Sequence, residues 1–170
     1  MANLKEIRGR ITSISSTMQI TSAMKMVSAA KLKKATDAIS MLRPYSEKLT
    51  ELIENVSSGA NLEEVATYTA AREVKKVLYI SVTSNRGLAG GFNSSIIKAV
   101  NQDINQSDKN IEILTIGKKG FDVLKKNRTI FGNESDVFDQ MSFNAVSKLV
   151  EKIMMDYREG AYDQVFVFYN

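Results

Sequence analysis

The sequence predicts an α/β protein, with a long N-terminal coiled-coil helix followed by a parallel-sheet domain. Three observations predict it. Apolar residues recur at alternating three- and four-residue steps through residues 1–57, the spacing of a coiled-coil stripe. Beyond residue 74, β-rich runs alternate with helical patterns, and such alternation builds parallel sheets with right-handed crossovers. Val165-Phe166-Val167-Phe168-Tyr169 is a continuous apolar run, the mark of a strand buried on both faces. The expected organisation is a helix over 1–57, a connector over 58–74 and an α/β domain over 75–170.

The helix carries its stripe on Leu4, Ile7, Ile11, Ile14 and Met18. It resumes the stripe at Leu32, Ala35, Ile39 and Leu42, then at Leu49, Ile53 and Val56. Between these runs the stripe slips to Ile20, Met24 and Val27, which locally changes coiled-coil winding. Pro44 is expected to bend the helix rather than end it, because the apolar frame continues beyond. Ser57-Ser58-Gly59 reads as the stop, with the glycine as C-terminal cap. About 55 residues of helix span about 80 Å, more than the width of a domain this size. The helix is therefore expected to project and to need a partner for its stripe. From Ile11 to Ala30 it holds a single charge, Lys25, among Ser, Thr, Ala and Met. An exposed helix normally carries charge on its outer face, so this stretch is expected to be enclosed by another protein on more than one side. It is too polar to lie in lipid.

Val77 to Thr83 reads as the first strand and Ser84 to Asn93 as a glycine-rich turn. A helix follows, with Phe92, Ile96, Ile97, Val100 and Ile104 on one face. Ile111 to Ile116 is the second strand, broken by Gly117. A short helix is expected over Phe121 to Lys126 and a weak strand over Thr129 to Phe131. Ser142 starts a last helix with an inner face of Phe143, Val146, Leu149, Val150, Ile153, Met154 and Tyr157, and Gly160 ends it. The chain then stops after what reads as an interior strand, and its long helix has no second one to pair with. The residues thus lead to the expectation of an incomplete chain, self-associating through the N-terminal helix when isolated.

Composition removes most chemistries. At 170 residues, 44% hydrophobic and 25% charged, the chain reads as globular rather than disordered. It has no Cys and no His, so disulfides, thiolate or imidazole metal ligands and a His general base are all excluded. No apolar window of about 18 residues offers a membrane span. The charged first residues do not read as a signal peptide, which points to the cytoplasm. The carboxylates Glu63, Glu64, Asp136, Asp139 and Asp156 show no paired spacing. Gly87, Gly90 and Gly91 follow the first strand, where a phosphate loop would sit. Their spacing fits neither the dinucleotide nor the P-loop fingerprint, so the turn is read as structural, needing positive φ and close packing. Catalytic, cofactor-binding and metal-binding residues are all expected to be absent. Met18, Met24 and Met26 on an exposed helix suit a surface that packs against several shapes.

The net charge of +4 is unevenly spread. Residues 1–36 carry Lys5, Arg8, Arg10, Lys25, Lys31, Lys33 and Lys34 against Glu6 alone. This is either a solvated face or a handle for nucleic acid, anionic lipid or an acidic protein surface. Two function classes stay open on these residues. One is a basic-arm module for nucleic acid or anionic membrane, although the arm lacks the interleaved aromatics of such modules. The other is a small nucleotide-binding α/β enzyme with a helical appendage, which equilibrium dialysis against ATP, NAD or FMN would expose.

The opening Leu4-Lys5-Glu6-Ile7-Arg8-Gly9-Arg10-Ile11 and the run Gln19-Ile20-Thr21-Ser22-Ala23-Met24-Lys25-Met26-Val27, with Ala30-Lys31-Leu32 and Arg43-Pro44-Tyr45, form one signature. Thr83-Ser84-Asn85-Arg86-Gly87-Leu88-Ala89-Gly90-Gly91-Phe92-Asn93 is a second. Together they resemble the gamma subunit of the rotary ATP synthase, and the likeness runs through the whole chain. The chain departs from that pattern at Asn85, usually Asp, and at Ala89, often Cys; neither is a glycine. It also lacks the family's long C-terminal helix.

The resemblance implies the central-stalk rotor shaft of a proton-translocating ATP synthase. The N-terminal helix would lie in an antiparallel coiled coil inside the hexamer of alpha and beta subunits. A Rossmann-like sheet domain would touch the epsilon subunit and rest on the membrane c-ring. The implied alpha and beta contacts are Arg8, Ile11, Met18, Ile20, Met24, Lys25, Met26, Val27, Lys31, Lys33 and Lys34, the lysines facing an acidic lever of beta. Arg86, Gly87, Gly90, Gly91 and Asn93 become a structural turn fingerprint. Rotation would couple the c-ring to conformational change in the catalytic beta subunits. The resemblance implies no cofactor and no nucleic-acid partner, only indirect contact with the membrane, and a peripheral location on the cytoplasmic face of the bacterial plasma membrane.

Overall fold

The structure is a computed structural model that describes residues 3–59, 67–68, 70–139 and 141–170. It forms two compact units, Met1–Leu62 and Glu63–Asn170.

The first unit is α1, Leu4–Gly59, 56 residues of continuous helix. Asn3 caps it: the Asn3 carbonyl accepts from the N–H groups of Glu6 and Ile7, and its side chain accepts from Lys5 N–H at 3.2 Å. Pro44 sits inside the helix, where its ring leaves the Ser40 carbonyl without the usual donor. The helix outlasts the expected stop, so that Gly59 is its last residue rather than a cap beyond it. Every residue from Asn3 to Ser57 is exposed.

The second unit is a parallel sheet. Strands β1 (Lys76–Val82), β2 (Asn110–Ile116), β3 (Ile130–Asn133) and β4 (Gln164–Phe168) lie in the order β3-β2-β1-β4. Helices α2 (Phe92–Gln106), α3 (Lys118–Leu124) and α4 (Phe143–Arg158) connect them. Alternate residues of the strands point to opposite faces, and each face buries its own core. On one face Val77, Tyr79 and Ile113 pack with Ile96, Val100 and Leu124. On the other Leu78, Ile80 and Leu114 pack with Tyr162, against Leu149 and Ile153 of α4. The result is the three-layer, Rossmann-like α/β architecture. Strand order reverses between β1 and β4, the switch point at which such sheets open a crevice.

Among the described residues β4 pairs on one side, with β1, and Phe166 is 46% and Val167 53% exposed. Its rings pack on β1, Phe166 edge-on to Tyr79 at 5.7 Å and Phe168 tilted on Tyr79 at 4.9 Å. Two local expectations are corrected. On α4 the inner face is narrower than its apolar arc. Leu149 and Ile153 reach the core, while Phe143 is 86% exposed and Val146, Val150 and Met154 are half-exposed. The short helix starts at Lys118, three residues early, because Gly117 at φ +116° turns the chain directly out of β2.

Candidate functional site

The residues singled out in α1 belong to one continuous helix, and continuity changes how they are read. Nine residues make two and a half turns. The row Ile11, Met18, Lys25 therefore lies opposite the row Ile20, Val27, Lys34. What reads as a slip of the stripe is, on an unbroken helix, a second apolar row on the far side. Ile11, Met18, Ile20, Met24, Met26 and Val27 are all more than half exposed, and they leave no wide polar face between them. Arg8 and Met26, eighteen residues apart, share one side. Lys31 and Lys34 share a flank, whereas Lys33 points almost opposite Lys31. The three lysines thus address two directions rather than a single outer face.

Three threonine hydroxyls in this stretch are satisfied within the helix. Thr12 donates to the Arg8 carbonyl at 3.0 Å, Thr17 to Ser13 at 2.9 Å and Thr21 to Thr17 at 2.8 Å. Enclosing these three threonines in a partner would strand none of their hydroxyl donors, which lowers the cost of burying them.

The turn after β1 is held by side chains rather than by its glycines. Asn93 Oδ1 accepts the Ser84 N–H at 2.9 Å, and Asn93 Nδ2 donates to Ser84 Oγ at 2.9 Å. Gly90 has φ +56°, which a side chain adopts only with strain. Gly87 and Gly91 do not need to be glycine for space: a Cβ at Gly87 would meet only Lys119 at 3.5 Å, and one at Gly91 only Ser95 at 3.8 Å. The position that departs from expectation is Leu88, at φ +61° and with its side chain fully exposed. Its sequence carries no signal for this, since Asn or Gly is the usual occupant. Arg86 is exposed beside it.

Beneath the turn a polar knot joins three strand ends. Thr83 is buried, and its hydroxyl donates to the Gly117 carbonyl at 3.1 Å and accepts the Gly120 N–H at 2.8 Å. Asn85 accepts the Lys118 N–H at 2.9 Å and donates to the Ser135 carbonyl at 3.0 Å. The second bond explains the amide at this position, because a carboxylate has no donor to offer a carbonyl. Ser135 Oγ accepts the Gly117 N–H at 3.2 Å. Thr83, Gly120 and Ser135 carry no pattern that sequence reasoning could use; only the parallel pairing of β1 with β2 and of β2 with β3 brings them together. Among the described residues, no group of three acidic side chains is placed to hold a metal ion, and no helix is long and apolar enough to cross a membrane.

The family described as ATP synthase matches residues 3–170. The chain is similar to the ATP synthase gamma chains of Flavobacterium psychrophilum and Flavobacterium johnsoniae, each 53% identical over all of this chain and 60% of theirs. It is also similar to the ATP synthase gamma chain of a Geobacter species, at 36% identity over the same shares. The chain spans about 60% of the length of these relatives.

Proposed function

The chain belongs to the ATP synthase gamma-chain family, and from that premise we propose that it is the central-stalk rotor shaft of a proton-translocating ATP synthase. One observation carries the reading: α1 is a continuous 56-residue helix, exposed throughout its described side chains, with apolar rows on opposite sides. Such a helix is built to be surrounded, and the hexamer of alpha and beta subunits is the surround. The antiparallel partner of its coiled coil would be a C-terminal helix in the further length that the relatives have.

In this reading the shaft performs no bond chemistry. The catalytic beta subunits bind nucleotide, and the rotating, asymmetric shaft forces them in turn through open and closed states. Soft Met18, Met24 and Met26 suit a surface that meets several subunit shapes during one revolution. Lys31 and Lys34 face the acidic lever of one beta subunit, and Lys33 faces a different neighbour. The sheet domain meets the epsilon subunit and the c-ring, which makes the chain peripheral to the membrane on its cytoplasmic face.

The test compares charge reversals in the full-length subunit of an assembled complex. Lys31→Glu with Lys34→Glu is expected to lower ATP-driven proton pumping well beyond any loss of folding stability, because exposed single charges contribute about 0–1 kcal/mol to stability while interface charges govern association. Lys33→Glu alone is expected to act separately. Assembly with unchanged hydrolysis and unchanged pumping in the double variant would overturn the contact assignment.

A further inference from the structure

We propose that Leu88 is an anchor for a neighbouring subunit: the turn after β1 holds it outward, beside exposed cations, to seat in an apolar recess with an acidic rim. The proposal rests on the rotor-shaft reading, which gives the chain neighbouring subunits. Leu88 and the cations all lie in the second unit.

The backbone of the turn decides how Leu88 stands. Among the described residues it is the non-glycine residue with positive φ, at +61°. There the Cβ of an L-residue crowds a carbonyl oxygen, and glycine or asparagine is the usual occupant. The turn is pinned by other residues. Asn93 Oδ1 accepts the Ser84 N–H at 2.9 Å, Ser84 Oγ donates to the Arg86 carbonyl, and the Phe92 N–H donates to the Ala89 carbonyl at 3.2 Å. These bonds lie on both sides of Leu88 and none uses its side chain, which is fully exposed. Leucine here strains the turn and buries no surface within the unit. A lone exposed leucine is ordinary. One held in the left-handed region is an outlier of the kind that gathers at ligand clamps and switch regions.

The surroundings of Leu88 supply charge of one sign. Arg86, Lys118 and Lys119 are exposed. The Lys119 side chain lies along the turn: a Cβ built on Gly87 would stand 3.5 Å from its Cε and 3.9 Å from its Nζ. The Lys119 N–H donates to the Ser84 carbonyl at 3.1 Å, and the Lys118 N–H to Asn85 Oδ1 at 2.9 Å, which fixes both lysines at the foot of the turn. Among the described residues none of the three cations is in an ion pair. Glu134 and Asp136, on either side of Ser135 at the same end of the sheet, pair with none of them. An apolar tip with unpaired cations around it matches an apolar recess edged by carboxylates, the core-and-rim order of a protein interface. A single leucine is too small an apolar face to hold a membrane surface.

The test uses the full-length subunit in the assembled complex in proteoliposomes, with wild type, Leu88→Asn, Leu88→Met and Lys118→Glu with Lys119→Glu. Asparagine accepts the left-handed backbone and removes the apolar tip. Leu88→Asn is therefore expected to unfold in urea at the wild-type midpoint or above it, and to lower ATP-driven proton pumping several-fold. Leu88→Met keeps the tip and should pump as wild type. The double lysine reversal should lower pumping, with the loss deepening at low salt, where charges act over longer range. A benzoylphenylalanine in place of Leu88 should, on irradiation of the complex, form an adduct with an acidic segment of another subunit. An adduct confined to the subunit's own chain or to lipid overturns the proposal. So does a Leu88→Asn subunit that pumps at the wild-type rate, or one that unfolds well below wild type, since the side chain would then serve the subunit's own fold. A wild-type subunit that supports no pumping sinks the rotor-shaft reading, whereas wild-type pumping without an intersubunit adduct sinks the anchor alone.

Discussion

At Gly117 a methyl group built on Cα would lie 2.1 Å from the Thr83 carbonyl oxygen, with φ at +116°. No side-chain shift can relieve a clash with backbone, so Gly117→Ala is expected to destabilise the sheet domain by more than about 3 kcal/mol. Urea unfolding measures it, and a loss below about 1 kcal/mol would contradict the geometry. The Asp163 carboxyl is held below the usual carboxylate range, first by the N–H of Lys76, then by that of Lys75. A depressed carboxyl stabilises the fold above its unfolded value near 4 and loses that contribution as pH falls through the lower, folded value. Asp163→Asn should therefore flatten the acid limb of stability below about pH 4 while lowering stability at neutral pH. Tyr79 behaves in the opposite sense. Burial, then its bond to Asp103, pushes the phenol up to about 12. Its contribution is complete below the unfolded value near 10 and disappears as pH rises through the folded one. Tyr79→Phe should remove that alkaline dependence, as read by thermal melts across the range.

The stripe of α1 exposes Leu32, Ile39, Leu42, Leu49, Ile53 and Val56, each at 45% or more. Burying one such side chain is worth roughly 1.5–3 kcal/mol, so the 170-residue chain on its own is expected to self-associate through this helix. Sedimentation velocity should show mass rising with concentration, and Ile39→Glu with Leu42→Glu should abolish the rise. A wild-type monomer at every concentration would mean that the stripe is covered in a way these residues do not reveal. Gly9 lies in the same helix with nothing within 4 Å of an added methyl. Gly9→Ala should raise helix stability by about 0.5–1 kcal/mol, measurable by circular dichroism. The element itself was legible in the sequence because a 3.5-residue period is a local property that twelve or more residues average into certainty. The fate of the apolar flank of α4 was not legible. Phe143 and Val150 satisfy the same period as Leu149 and Ile153, and only contact with the sheet separates them.

Across the molecule, the crevice at the switch point between β1 and β4 is where a doubly wound sheet would bind nucleotide. Here Ser84 and Asn93 bond to each other in the turn, and Asn170 Nδ2 donates to the Phe92 carbonyl at 3.1 Å. With these polar groups already engaged, ATP and NAD are expected to show no micromolar binding in equilibrium dialysis. A micromolar affinity lost on Gly90→Val would overturn this. By itself the sequence determined the long helix, the strand and helix alternation of a parallel α/β domain, and the two signatures that mark the family. All of these are carried by residues close together along the chain, where period, turn chemistry and motif spacing act directly. Only the tertiary structure decided that β4 pairs with β1, that the apolar rows of α1 sit on opposite sides of one unbroken helix, and that Thr83, Gly117 and Ser135 form one knot. It alone brought Arg72 to the carbonyl of Tyr157, 85 residues away. Hydropathy records how apolar a side chain is but not which distant segment covers it. Burial and pairing across the sheet follow from strand order, which no local pattern contains.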